Sequence, residues 1–299
     1  MHRPDAVMVN MGGNMHSFET QWQADDGVFL FGRGWEPEGA PRALICLVHG
    51  LGEHSGRYQH VAAALTEAGY AVLSFDLRGH GRSGGPRGHI PSFEAFLRDL
   101  DRLFDQAQLR YPSQPRFLYG HSLGGILVLN YALRRKPEAR GVIATSSGLR
   151  TALEEQKLKV ALVRILGRIF PSLTLPSGLD PKTLSHDPQV VKDYQSDPLV
   201  HDKISLGFAR IMLDVIPWTF AHAHEFPLPL LLMHGTEDAL AYPQGSEEFA
   251  RRAGEKATLK LWPGLYHELH NEPQKQEVFK FLIDWLESHL QETTWQKKK

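Results

Sequence analysis

Nearly continuous apolar runs recur along this chain: ALICLVH (43–49), AVLSFD (71–76), RFLYGH (116–121), GVIATS (141–146), LPLLLMH (228–234) and ATLKLW (257–262). Runs without polar alternation suit strands buried on both faces, the situation of parallel sheets covered by helices. Between most of them lie helical segments: RYQHVAAALTEAG, FEAFLRDLDRLFDQAQLR, SLGGILVLNYALRRK, GSEEFARRAG and QEVFKFLIDWLESHL. In the second, Phe93, Phe96, Leu97, Leu100, Leu103 and Phe104 recur at helix spacing. Such alternation predicts an α/β fold with a mostly parallel sheet flanked by helices. Two leading strands, FETQWQ and VFLFGRGW, flank ADDG, where Asp26-Gly27 signals a hairpin. They add an antiparallel edge and make the expected sheet eight-stranded.

One interval breaks the rhythm. Residues 151–227 separate two strands by far more than a normal crossover. The interval holds a cationic, amphipathic helical stretch (LKVALVRILGRIF), a Pro/Ser/Asp-rich middle and a second apolar helix (LGFARIMLDVI). We read it as an inserted helical cap. The expected organisation is a flexible segment at 1–17, core at 18–150, cap at 151–227, core again at 228–290 and a basic tail at 291–299.

A chain of 299 residues with 42% hydrophobic and 22% charged side chains can bury a large core. Its formal net charge of -1 gives no overall field to recruit nucleic acid or an anionic membrane. The single cysteine, Cys46, excludes a disulfide within the chain and fits a reducing compartment. The N-terminal stretch has no apolar core of signal-peptide length, and no run approaches the ~20 apolar residues of a membrane span. The expected location is cytoplasmic, with at most peripheral membrane contact.

FLYGHSLGGILVLNYAL contains G-x-S-x-G around Ser122, preceded by a strand and followed by a helix. That is the setting of a nucleophile elbow, although a small serine in a tight turn would give the same letters. A serine needs a base held by an acid, in chain order Ser, Asp or Glu, His. Downstream, GTED offers Glu237 and Asp238 at a strand end, and PGLYHELHNE offers His267 and His270 before the last helix. On the residues alone both choices stay open. HELH lacks the HExxH spacing, so His267, Glu268 and His270 make a poor metal site. The oxyanion donors would be the Leu123 amide, directly after the serine, and the Leu51 amide in HGLGEHSGRY. An ordinary glycine-rich turn is the bland alternative. GHGRSG (79–84) fits a dinucleotide-binding pattern, but Pro86, Gly88 and Pro91 follow where a helix should open.

Taken together, HGLGEHSGRY, FDLRGHGRSGG, GHSLGG, YQSDPL, HGTED and PGLYHELHNE resemble the α/β-hydrolases, over roughly residues 18 to 290. Within them they resemble the monoacylglycerol lipases and related lysophospholipases. The resemblance implies the α/β-hydrolase fold, with Ser122 as nucleophile, Asp238 as acid and His267 as base. It also implies Leu51 and Leu123 as oxyanion donors. Glu53, Arg57 and His270 would form a polar head-group pocket, with Tyr194 near it. Glu53 and Arg57 equally fit an ion pair bracing their loop, and Leu51 stands where the family often has a smaller residue. Asp76, Arg78 and Ser83 read as loop-bracing residues.

The implied activity needs neither cofactor nor metal: hydrolysis of carboxylic esters, monoacylglycerols first, through an acyl-enzyme. The alternatives are a lysophospholipase, a broad carboxylesterase or an acyltransferase, and then a non-catalytic ligand-binding α/β-hydrolase. Dehalogenase and epoxide-hydrolase relatives carry Asp at the elbow, which Ser122 argues against. The cap's first helix carries Leu158, Val160, Ala161, Leu162, Ile165, Leu166 and Ile169 beside Lys157, Lys159, Arg164 and Arg168. It could form an acyl tunnel and rest on a membrane or micelle, or simply pack as core. The expected partner is a lipid ester; oligomeric state stays open.

Overall fold

The computed structural model describes residues 7–9 and 15–296, with side chains from 15 to 290. All eight expected strands lie in one sheet. They are β2 (His16–Gln23), β3 (Phe29–Glu36), β4 (Ala43–Val48), β5 (Tyr70–Phe75), β6 (Arg116–His121), β7 (Gly141–Thr145), β10 (Leu230–Gly235) and β11 (Ala257–Trp262). A short β1 (Val7–Val9), inside the segment expected to be flexible, pairs antiparallel with β2 and makes a ninth. The rest of that segment up to Asn14, and the end of the basic tail, lie outside the described residues.

The strand order is β1-β2-β3-β5-β4-β6-β7-β10-β11. The β1–β2, β2–β3 and β3–β5 pairs are antiparallel and the others parallel. Gly27 closes the β2–β3 hairpin at φ 80°, a conformation glycine adopts without strain.

Side chains of β4 alternate between two helical layers, as the pleat dictates. Leu44, Cys46 and Val48 pack with residues of α2 (Phe93–Arg110) and α3 (Leu123–Arg135). Ala43, Ile45 and Leu47 pack with α1 (Gln59–Glu67) and α8 (Lys275–Gln296). Burial pushes the Cys46 thiol up to about 12. The chain winds from β4 to β5 on one side, then crosses to β6 on the other. This reversal opens a crevice at the carboxyl ends of β4 and β6, where α/β folds place their ligands.

The 151–227 interval supplies α4 (Lys157–Ile169), β8 (Thr174–Pro176), α5 (Pro188–Ser196), β9 (Lys203–Ser205) and α6 (Leu206–His222). β8 and β9 form their own antiparallel pair. Gly167 lets α4 approach α6: a Cβ there would lie 2.5 Å from the Leu206 carbonyl. Pro217 sits inside α6 and cannot donate to the Leu213 carbonyl one turn back, which instead accepts from Arg164 Nη2 at 3.4 Å. The interval is tied to the core loops by His201 N–H to Gly52 O (2.8 Å) and Ser205 N–H to Gly88 O (2.7 Å). Glu268 N–H also donates to Leu184 O at 2.8 Å. On its outer side α4 exposes Leu158, Leu162, Ile165 and Ile169. Among the described residues no helix is long and apolar enough to cross a membrane.

Candidate active site

Four strand ends converge on the crevice. β6 ends at His121 and α3 begins at Leu123, leaving Ser122 at the corner with φ 55° and ψ -115°. A non-glycine residue there is strained and must be held by its surroundings. Its N–H donates to Thr145 O at 2.9 Å, and its carbonyl accepts from Ile126 N at 3.2 Å. The flanking glycines are required sterically. A Cβ on Gly120 would lie 2.2 Å from the Gly124 carbonyl oxygen, and one on Gly124 would lie 2.1 Å from that of Val48. Because both obstacles are backbone atoms, Gly124→Ala should destabilise the protein by about 3 kcal/mol. Urea unfolding would read this, and an unchanged midpoint would contradict it.

His267, in the loop after β11, brings Nε2 to 3.0 Å from Ser122 Oγ and Nδ1 to 2.7 Å from Asp238 Oδ2. Asp238 follows β10; its other oxygen accepts from the Leu240 and Ala241 amides, each at 2.9 Å. Burial alone would lower the imidazole of His267, but the charge and hydrogen bond of Asp238 outweigh it, leaving His267 raised. Burial alone would raise the Asp238 carboxyl, yet the two histidines His267 and His234 hold it well below the usual carboxylate range. Glu237, the rival acid, is exposed. The Leu51 and Leu123 amides donate to no acceptor within the described chain.

Glu53 and Arg57 do form an ion pair, at 2.8 Å, within a larger network. Arg57 also makes two hydrogen bonds to Glu268, at 2.6 and 2.8 Å, and its guanidinium lies 4.8 Å from the Tyr194 ring centre. Glu53 Oε1 accepts from the Gly50 amide (2.6 Å) and the Tyr58 hydroxyl (2.7 Å). Burial would raise the Glu268 carboxyl, but Arg57 prevails and holds it below the ordinary range. His270 lies behind this network, its ring stacked on Tyr58 at 4.9 Å. Both its ring nitrogens lack a partner among the described residues, and burial pushes it down to about 3.

The crevice opens into a cavity of about 670 Å³. Ser122, His267, Leu51, Leu123, Glu53 and Tyr194 line it; Arg57 and His270 do not. The rest of the wall is mostly apolar, with Val163 of α4 and Phe208, Met212 and Ile216 of α6. Asp76, Arg78 and Ser83 tie neighbouring loops together away from it. Asp76 accepts from Ser55, Arg78 bridges Asp99 and Asp26, and Ser83 Oγ donates to the Asp76 carbonyl. The GHGRSG stretch is a loop, with no helix before α2.

Sequence reasoning passed over two of these residues. Glu268 entered only as a metal ligand, although HELH places it next to His267. His234 looked like the end of a strand, although HGTED sets it four residues before Asp238, one helical turn in sequence.

A strained serine between β6 and α3, an imidazole on its oxygen and a carboxylate behind it, all at strand ends, define an α/β-hydrolase. The chain belongs to the family described as serine aminopeptidase, S33, whose model matches residues 39–274. It is 36% identical to the monoacylglycerol lipase of Mycolicibacterium smegmatis, over 95% of this chain and 100% of that one. An uncharacterized abhydrolase domain-containing protein of Dictyostelium discoideum is 40% identical over 87% of this chain, which spans 28% of that relative. The crystal structure of Paleococcus ferrophilus monoacylglycerol lipase superposes with a TM-score of 0.79 at 38% identity, covering 87% of this chain and 99% of the other.

Proposed function

We propose that this chain is a serine hydrolase that cleaves carboxylic esters, monoacylglycerols above all, to an alcohol and a fatty acid. The observation that carries the reading is the hydrogen-bonded series Ser122–His267–Asp238 opening on a mostly apolar cavity that Glu53 and Tyr194 also line. In acylation, His267 Nε2 takes the Oγ proton as Oγ bonds to the ester carbon. The Leu51 and Leu123 amides receive the oxyanion. His267 then gives the proton to the departing glycerol oxygen. In deacylation it removes a proton from water, whose oxygen attacks the acyl carbon, and Ser122 recovers its proton.

The acyl chain lies along Phe208, Met212 and Ile216, and the glycerol hydroxyls face Glu53 and Tyr194. Arg57 and His270 support that subsite from behind. The family description names an aminopeptidase, which would need a carboxylate to seat a substrate ammonium. The carboxylates lining the cavity, Glu53, Glu154 and Glu268, are all engaged by arginines. We assign the 151–227 interval as a cap. Its outer apolar stripe, with Lys157 and Arg168, rests peripherally on lipid surfaces, and the protein works in the cytoplasm.

A panel of monoglyceride, triglyceride, lysophospholipid, short-chain ester and aminoacyl anilide tests the substrate. Monoglyceride should give the highest kcat/KM. Faster turnover of triglyceride, lysophospholipid or anilide would refute the assignment.

A further inference from the structure

Asp238 accepts four hydrogen bonds, two on each oxygen, which is all that a carboxylate can take. Three come from groups expected of such a site: the Leu240 and Ala241 amides and His267. The fourth comes from His234, a fully buried residue of β10. Its Nε2 lies 3.0 Å from Asp238 Oδ2 and 2.8 Å from the Ala241 carbonyl oxygen. An ionised carboxylate and a carbonyl can only accept, so Nε2 carries the proton. Nδ1, 2.7 Å from Ser246 Oγ on α7 (Pro243–Ala253), is then the acceptor for the serine hydroxyl. Ser246 and Ala241 together fix both the tautomer and the ring plane.

We propose that His234 is a positioning residue for the acid–base pair, setting how strongly Asp238 Oδ2 engages His267. The inference rests on the hydrolase reading above. His234 and His267 donate to the same oxygen, so each weakens the hold of the other. Without the His234 N–H, the undiluted carboxylate would stabilise the His267 imidazolium more strongly. It would also lose one of the donors that orient it.

The other groups facing His267 are Glu53 from the loop after β4, its neighbour Glu268, His270 three residues on, and His121 from the end of β6, whose ring centre lies 4.9 Å away. Besides Asp238 and Ser246, the ionisable group facing His234 is His121, which burial keeps neutral. None of these is a hydrogen-bond partner of His234.

The test is the pH profile of kcat/KM on a soluble ester. His234→Leu should move the acid limb up by about half a unit to one unit. It should lower kcat about tenfold and leave KM unchanged. His234→Gln, which restores an N–H at similar reach, should recover much of both. Ser246→Ala, a milder change that keeps the ring, should shift the limb the same way by less, and serves if the leucine variant fails to fold. An acid limb and kcat identical to the native protein, with only the melting temperature lowered, would overturn the inference and leave His234 a packing residue. If the native protein neither turns over esters nor labels at Ser122, the hydrolase reading is what fails. The inference is then read from the low-field proton resonance of His267 Nδ1–H, which should move in His234→Leu and would overturn it by staying put.

Discussion

Ser122→Ala should abolish turnover of every ester, by a factor of about 10⁶, and remove all labelling by a fluorophosphonate. The size follows from the proposed reaction, in which the Ser122 oxygen makes the covalent bond; among the described residues only its hydroxyl is hydrogen-bonded to His267 Nε2. Fold and substrate binding should survive, because the lost oxygen makes a single hydrogen bond, to His267. Stability should stay within about 0.5 kcal/mol of native. Ser122→Gly should be equally inactive yet more stable by about 1 kcal/mol, since φ 55° is strained for serine and free for glycine. Labelling that persists in the alanine variant would remove Ser122 from its role. Native protein that takes no label would favour a ligand-binding α/β-hydrolase without chemistry.

Asp238→Asn is expected to lower kcat by about 10⁴ while changing little in size. The surrounding donors explain why. One side of the group faces the Leu240 and Ala241 amides, which require an oxygen, so the new NH₂ must turn toward His267 and His234. A donor then confronts His267 Nδ1, and the imidazole shifts its proton to Nε2. In that tautomer it cannot accept the proton of Ser122. The pH dependence should change in a definite direction. In the native protein the Asp238 charge holds His267 raised, so kcat/KM falls on acidification through a value above the ordinary imidazole pKa of about 6.5. With that charge removed, burial prevails and the acid limb of the residual activity moves below that value. Steady-state kinetics across pH reads both effects. Retention of a tenth of native kcat would show that the carboxylate is dispensable.

The fold was legible because the parallel strands are mostly nearly continuous apolar runs and the longer helices keep a helical period, whereas α5, β8 and β9, within the Pro/Ser/Asp-rich middle of the interval, carried no such signal. Both patterns come from burial and need no long-range information. Ser122 could be named because the elbow is a local geometry with local steric demands. Asp238 and His267 could be named by chain order together with the resemblance. The network around Glu53 was only half legible. The i,i+4 pairing with Arg57 is local, but the stronger partner, Glu268, lies 211 residues from Arg57 and meets it only in the folded sheet. His234 was hidden for a different reason. At the end of LPLLLMH it satisfies the pattern of a buried strand, and nothing in the letters says that its ring turns toward the next loop. The strand β1 was hidden too, since three residues are too few to carry a period.

The order of the sheet also bears on when the molecule becomes dangerous to nearby esters. β6, which delivers Ser122, pairs with β4 and β7 early in the chain, whereas β10 joins only beyond β7 and β11 only beyond β10. On the proposed assignment of Ser122, Asp238 and His267, the nucleophile is therefore built before its acid and base have left the ribosome. Domains fold as their residues emerge, yet this centre stays unarmed until residues past 267 have docked at the far edge. A truncated or half-folded copy would carry an inert serine, so hydrolytic activity would report completion of the whole sheet.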